Sequence, residues 1–276
     1  MKIALTIAGS DPSSGAGIQG DLRTFAALSV HALTAITCIT AQGTRGVRAV
    51  APLSPKLVRQ QIDVVLSDVT VDVIKLGALA TAGIARAVAA SLRGLEQPLV
   101  IDPVMASSSG ARLLDDRGVR VLLEVLMPRA TVITPNVAEL MILTDSRRAP
   151  RDVEALGRLG ERLRARGANA VLAKGGHLAG APNDVLVDAH GTHVFPGKRL
   201  VSRCTHGTGC ALASAIAAHL AQGLSLVAAV RASKAFVARA IAGARPIGEG
   251  ASPLDPFAAS RPDRIRARRS PRAIPE

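Results

Sequence analysis

Residues 2–28 read KIALTIAGSDPSSGAGIQGDLRTFAAL. Two periods meet in this stretch. Residues 3–8 are a short apolar run of strand length, the signature of a strand buried on both faces. Residues 18–28 place Ile18, Leu22 and Phe25 on one face at helical spacing. Between them Gly9, Gly15 and Gly17 allow the backbone to turn tightly and to approach a ligand closely. A strand, a glycine-bearing loop and a helix in this order make the first half of a βαβ unit.

The same alternation runs on. Residues 32–40 are rich in β-branched side chains (Thr34, Ile36, Thr37, Ile39, Thr40) and read as a second strand. Residues 55–66 read as a helix with Pro55 in its first turn. Strands are predicted over 71–76, 98–101, 131–133 and 170–173, and helices over 82–92, 116–126, 137–143 and 152–166. The helix over 116–126 should stop before Pro128. Residues 185–187 and 192–195 read as a hairpin, and 209–220 and 226–242 as two Ala-rich helices. Strands alternating with helices predict a mostly parallel sheet covered on both faces. No linker or internal repeat interrupts the pattern. A single domain is therefore expected over 1–250, followed by an irregular basic tail over 251–276.

Composition narrows the function. Apolar residues are 48% of 276, enough for a sizeable core, and charged residues are 20%, too few for a disordered polyelectrolyte. The net charge of +13 admits an anionic substrate, a membrane surface or nucleic acid. But the excess rests on 28 Arg against six Lys, scattered except for six Arg in 261–272. The chain has no Trp, no Tyr and four Phe, so it lacks the rings on which single-stranded nucleic acids stack. Neither a nucleic-acid partner nor a membrane partner is expected. Cys38, Cys204 and Cys210 are odd in number and form no C-x-x-C, so neither a disulfide framework nor a zinc site is suggested. Residues 1–9 are too short an apolar run for a signal peptide. With no stretch near ~20 apolar residues, the expectation is a cytoplasmic protein.

In such sheets ligands bind beyond the carboxyl ends of the strands, and five segments, four of them after strands, carry chemistry. The loop 9–17 offers backbone N–H groups at a helix start. Thr205-His206-Gly207-Thr208-Gly209-Cys210 stands directly before an apolar helix, so Gly207, Thr208 and Gly209 form a candidate anion hole. Cys210 falls in the first turn, where a thiol pKa is commonly lowered; it is either a general base or a small buried hydrophobe that starts the helix. Asn136 and Glu139 share a helix face; they suit either a hydrated magnesium ion beside phosphate oxygens or a capping box. Asp102 at a strand end and Lys174 before two glycines suit metal-bound water and phosphate, or a structural salt bridge.

Together these segments resemble the hydroxymethylpyrimidine and phosphomethylpyrimidine kinases of thiamine biosynthesis, within the ribokinase-like superfamily. The resemblance covers residues 3 to about 243. It rests on LTIAGSDPSSGAGIQGDLRTF at 5–25, TAQGTRGV at 40–47, IKLGAL at 74–79, IDPVMASSSGARLL at 101–114, ITPNVAEL at 133–140, KGGH at 174–177 and THGTGC at 205–210. It implies a ribokinase-like three-layer α/β/α sandwich, ATP and magnesium as cofactors, and a homodimer. The activity implied is phosphoryl transfer to 4-amino-5-hydroxymethyl-2-methylpyrimidine and then to its monophosphate. Cys210 falls where most ribokinase relatives carry an Asp base. Gln42 matches the pyrimidine-reading Gln, with Gly9, Asp21 and Val104 on the substrate side and Lys174 and Thr205 toward ATP phosphate. Asn136, Glu139 and Asp102 fall on the metal side.

Four positions depart from the usual pattern: Gly43 for Asn, Ala78 for Met, Ser108 for Lys, and a segment 247–250 without His. A vitamin B6 kinase of the pyridoxal type on the same scaffold, or a non-catalytic pyrimidine-binding derivative, are the alternatives.

Overall fold

The computed structural model describes residues 1–107, 110–176, 178 and 180–260. Among these residues nine strands form one sheet. They are β1 (Lys2–Ser10), β2 (Val30–Gly43), β3 (Gly46–Pro52), β4 (Val73–Leu76), β5 (Leu99–Ile101), β6 (Val132–Ile133), β7 (Val171–Ala173), β8 (Asp184–Asp188) and β9 (Gly191–Phe195). Their order is β3-β2-β1-β4-β5-β6-β7-β8-β9. Pairing is parallel from β2 through β7 and antiparallel at both edges. The helices are α1 (Gly17–Ala27), α2 (Pro55–Asp68), α3 (Ala82–Ser91), α4 (Asp116–Val121), α5 (Val137–Leu143), α6 (Val153–Ala165), α7 (Thr208–Ala221), α8 (Leu226–Gly243) and α9 (Pro256–Ser260).

Strand periodicity of two sorts the core into layers. Leu5, Ile7, Ile74, Leu76, Ile101, Ile133 and Val171 face one way, against Val58 and Ile62 of α2, Ile84 and Val88 of α3, and Leu156 and Leu163 of α6. Ala4, Val73, Val100, Val132 and Leu172 face the other, against Phe25 of α1, Leu212 and Ile216 of α7 and Val230 of α8. The result is a three-layer α/β/α sandwich. Because α7 buries mainly Ala, its backbone lies close to the sheet and brings its N-terminus over the strand ends.

Several elements differ from the sequence reading. The edge strand β3 is unannounced: most of its side chains are exposed or half-exposed, so no apolar alternation marks it. The helix read over 116–126 changes winding. After α4 it widens into a π turn at Leu122–Leu126 and tightens to a 3₁₀ turn at Met127–Arg129, which takes Pro128 in. Residues 251–260 are not irregular. Pro253 bridges to His206, and α9 packs Ala259 beside Leu254, Phe236 and Ala240. The Arg-rich run of 261–272 lies outside the described residues. Among the described residues, no helix is long and apolar enough to cross a membrane.

Candidate active site

The sheet order reverses direction at β1, so the carboxyl ends of β1 and β4 flank a crevice. A cavity of about 960 Å³ opens there. Of the residues singled out from sequence, Gly9, Gln42, Asp102, Val104, Asn136, Glu139, Lys174, Thr205, Gly207, Thr208, Gly209 and Cys210 all line it.

Asp21 does not. It is wholly buried beneath the cavity floor, where Lys75 Nζ donates to both carboxylate oxygens at 3.0 and 2.8 Å. Thr6 Oγ1 and Ser214 Oγ donate to the same carboxylate at 2.6 and 2.7 Å. The expected substrate contact is corrected: with four hydrogen bonds from three donors and no exposed surface, Asp21 faces Lys75 and not the cavity. Burial pulls the Lys75 amine down, and the facing Asp21 carboxylate more than reverses this, so Lys75 stays charged. A lone Lys inside the apolar run 71–76 was the available signal for this pair.

The anion cradle is built by backbone. Gly207 caps α7 at φ +81°, and no side chain caps the helix. A Cβ on Gly207 would lie 1.6 Å from the Gly15 carbonyl oxygen, so only Gly lets the two loops meet. A Cβ on Gly209 would lie 3.2 Å from Lys174 Nζ, which shows how close that amine comes to the helix start.

Lys174 Nζ donates to Asp102 Oδ1 at 2.9 Å. Burial would raise the Asp102 carboxyl, but Lys174, Lys75 and hydrogen bonds from Lys174 and Cys210 leave it lowered. Burial would likewise lower the Lys174 amine, but Asp102 and Glu139 leave it raised. Both shifts describe one stable ion pair.

Cys210 departs from expectation. It is half-buried at the cavity floor, and its sulfur accepts a hydrogen bond from the Gly17 N–H at the start of α1. Burial dominates nevertheless. Aided by the Asp102 and Asp21 carboxylates and only partly opposed by Lys75, it pushes the thiol up to about 12. The lowered thiol that a helix start suggests is therefore not found. Its proton is held toward the Asp102 carboxylate.

Asn136 and Glu139 form the capping box outright. Asn136 Oδ1 accepts from the Glu139 N–H at 3.0 Å, and Glu139 Oε2 accepts from the Asn136 N–H at 2.8 Å. Burial, together with the Asp102 charge, raises the Glu139 carboxyl to about 7 despite Lys174 nearby. With Asn136 committed to the cap, only Glu139 and Asp102 remain to face a cation. Among the described residues, no group of three or more His, Cys, Asp or Glu could hold a metal. Two carboxylates fit a magnesium ion held through its own waters and through phosphate oxygens, the usual mode for that ion.

Asp11 and His206 also line the cavity, and sequence reasoning passed over both. His206 Nε2 lies 2.8 Å from Asp11 Oδ2 and 3.1 Å from the Gln42 carboxamide. Burial would raise Asp11, yet hydrogen bonds from His206, Ser13 and Ala16 bring it down to about 2. Both stand within the quoted motifs, but nothing local pairs them, because they are 195 positions apart. The far end of the cavity is lined by Phe195, Val237 and Ile241, with Lys198, Arg199, Arg231 and Lys234 around it. Among the departures from the usual pattern, Ala78 lines the cavity and Gly43 faces open space. Residues 247–250 dock on the β2–β3 turn, where the Gly250 N–H donates to Thr44 Oγ1 at 3.2 Å. Ser108 lies outside the described residues.

The phosphomethylpyrimidine kinase family model matches residues 11–255. A hydroxymethylpyrimidine/phosphomethylpyrimidine kinase of Rhizobium meliloti is 45% identical over 258 residues, 92% of this chain and 97% of the relative. The crystal structure of a phosphomethylpyrimidine kinase from Clostridium difficile superposes with a TM-score of 0.77 at 38% identity, over 87% of this chain and 100% of that one. The ADP complex of a Bacillus subtilis pyridoxal kinase superposes with a TM-score of 0.87 at 34% identity, over 94% of this chain and 98% of that one. A match that starts at Asp11 in the first loop and ends at Asp255 beyond α8 takes in the cavity from both sides, and the chain belongs to the phosphomethylpyrimidine kinase family.

Proposed function

We propose that this kinase transfers the γ-phosphoryl group of ATP to the hydroxymethyl group of 4-amino-5-hydroxymethyl-2-methylpyrimidine, and then phosphorylates the monophosphate. The observation that carries this reading is one cavity that joins a carboxamide able to read a ring edge, Gln42, to a backbone anion cradle at the start of α7. Cys210 belongs to that cradle.

Phosphoryl transfer passes through a loose transition state, so most of the catalysis is positioning and charge stabilisation. The N–H groups at Gly207–Cys210 would meet the transferred group, and Lys174 would neutralise its oxygens. Glu139 and Asp102 would hold magnesium through its waters, and that ion would screen the phosphate charge. The apolar wall of Phe195, Val237 and Ile241 suits a flat base, and the surrounding Lys and Arg suit its phosphates. A cytoplasmic homodimer completes the reading.

Glu139→Gln separates the metal role from the cap. Turnover should fall about 10–100-fold, with partial recovery at high magnesium. The stability sign runs the other way. The folded carboxyl, near 7, lies above its ordinary 4.5. Between those values the unfolded chain has released a proton that the folded chain keeps, so wild-type stability falls as pH rises through that window. Gln carries no such charge and still accepts from the Asn136 N–H. The variant should therefore match or exceed the wild-type melting temperature at pH 8. Wild-type turnover with a lower melting temperature would leave Glu139 as a cap alone.

A second reading, a kinase for a pyridoxal-type ring, is favoured by one observation: Ala78 lines the cavity with a single methyl group. Product mass analysis after incubation with ATP, magnesium and each ring compound tests the proposal. Pyrimidine mono- and diphosphate are the expected products. Phosphorylation of pyridoxal alone would replace the first reading with the second, and no product from either ring would sink both.

A further inference from the structure

The two ends of a carboxamide are told apart by their hydrogen bonds. At Gln42 those bonds are over-determined. The Asp11 carboxylate accepts from the Ser13 N–H and Ser13 Oγ at 2.9 and 2.7 Å and from the Ala16 N–H at 2.9 Å. It therefore faces His206 as an acceptor, and His206 Nε2 must carry the proton between them. The structure sets the Gln42 nitrogen 3.1 Å away, but a protonated Nε2 offers it no lone pair, so the hydrogen bonds call for the carboxamide turned end for end, with its oxygen at that place. The opposite end gives the same answer. Thr40 Oγ1 spends its one proton on the Ser10 carbonyl at 2.9 Å. At 3.2 Å from the carboxamide atom set as Oε1 it can then only accept, so the same turn, which brings the NH₂ there, satisfies it.

We propose that Asp11, acting through His206, fixes which end of the Gln42 carboxamide presents a donor and which an acceptor, and thereby sets the polarity of ring edge that the kinase accepts. Asp11 and His206 are positioning residues. Without them only the 3.2 Å contact to Thr40 remains, and a hydroxyl can rotate to donate instead, so Gln42 can turn end for end. The inference rests on Gln42 reading the ring. In the 4-aminopyrimidine a ring nitrogen accepts beside an amino donor. In the 4-oxo analogue the ring N–H donates beside a carbonyl acceptor. A fixed carboxamide matches one edge and opposes the other, and a site built that way rejects the wrong partner strongly.

The test is the ratio of kcat/KM for the 4-amino and 4-oxo rings, measured on each variant of the full chain. The wild type should favour the amino ring by at least about 10²-fold. Asp11→Asn keeps shape but turns a donor toward His206, which moves the imidazole proton, and should cut the ratio at least about tenfold. His206→Leu, which leaves Gln42 held only by the Thr40 hydroxyl, should do the same if the first variant fails to fold. His206→Gln still offers an N–H to both neighbours and should restore most of the ratio. A purely structural role would lower both rates together and leave the ratio unmoved, which overturns the proposal. If Gln42→Ala abolishes the ratio while the Asp11 and His206 variants keep it, the proposal fails and the ring-reading role stands. If Gln42→Ala leaves the ratio intact, both fall. Nitrogen-15 NMR of the ligand-free enzyme adds a check free of substrate: Nε2 of His206 should be the protonated nitrogen, and an unprotonated Nε2 overturns the proposal.

Discussion

Cys210→Ser should lower turnover by about 10²–10⁴-fold, the usual worth of a general base, with ATP affinity nearly unchanged. The substitution keeps the size of the side chain and leaves the backbone cradle intact, so binding of the phosphates should survive. The pH profile carries the mechanistic content. With the thiol pushed up to about 12, it is almost wholly protonated at pH 8. A resting thiolate is therefore not the base at neutral pH. The rate should climb with pH above 8 as ionisation becomes easier, or else the thiol hands its own proton to Asp102 as it takes one from the substrate hydroxyl. The pH profile distinguishes the two: a rate that rises about tenfold per pH step above 8 marks prior ionisation of the thiol, and a rate flat over that range marks the concerted transfer. Alkylation of Cys210 should also steepen with pH and be slowed by substrate. Full turnover in Cys210→Ser, with alkylation indifferent to substrate, would return the residue to the role of core filler.

Lys75→Met should cost about 3–5 kcal/mol of stability, the range for removing one partner of a buried ion pair. The side chains of Lys75 and Asp21 are both 0% exposed, so the Asp21 carboxylate left behind would have no water to replace the lost cation. The hydroxyls of Thr6 and Ser214 would still donate to it but carry no charge. A urea midpoint well below wild type is the expected reading. The double variant Lys75→Met/Asp21→Asn removes the orphaned charge and keeps an acceptor for the hydroxyls, so it should recover at least half of the loss. A single variant within 1 kcal/mol of wild type, or a double variant no better than the single, would show that the pair contributes little. Lys75 also partly opposes the rise in the Cys210 thiol, so its removal should push the alkylation profile to still higher pH.

Much of the molecule was legible along the chain because it rests on local patterns. The alternation that starts at residues 2–28 gave the parallel sheet and its two covering layers. Helix starts such as Asp152 before α6 and Asn136 before α5 follow from short polar side chains bonding N–H groups three residues on. Gly207 announced the cradle because only a residue without a side chain fits where its backbone meets that of Gly15. Motif order placed twelve of the site residues in one cavity, since strand ends in a parallel sheet share one edge.

What the chain could not reveal depends on burial and on charges far apart in sequence. β3 escaped notice because an exposed edge strand needs no apolar period. Asp21 lies on the buried side of α1, and nothing local marks that its carboxylate turns to Lys75, 54 positions away, rather than to the cavity. The first-turn position of Cys210 pointed to a lowered thiol, but the tertiary structure surrounds it with low-dielectric core and two carboxylates, and desolvation outweighs the helix start. The Asp11–His206–Gln42 chain joins two loops and the end of β2 across as many as 195 positions. Sequence fixes such side chains only as donors and acceptors; which one faces which is settled when the sheet brings the loops to the same edge.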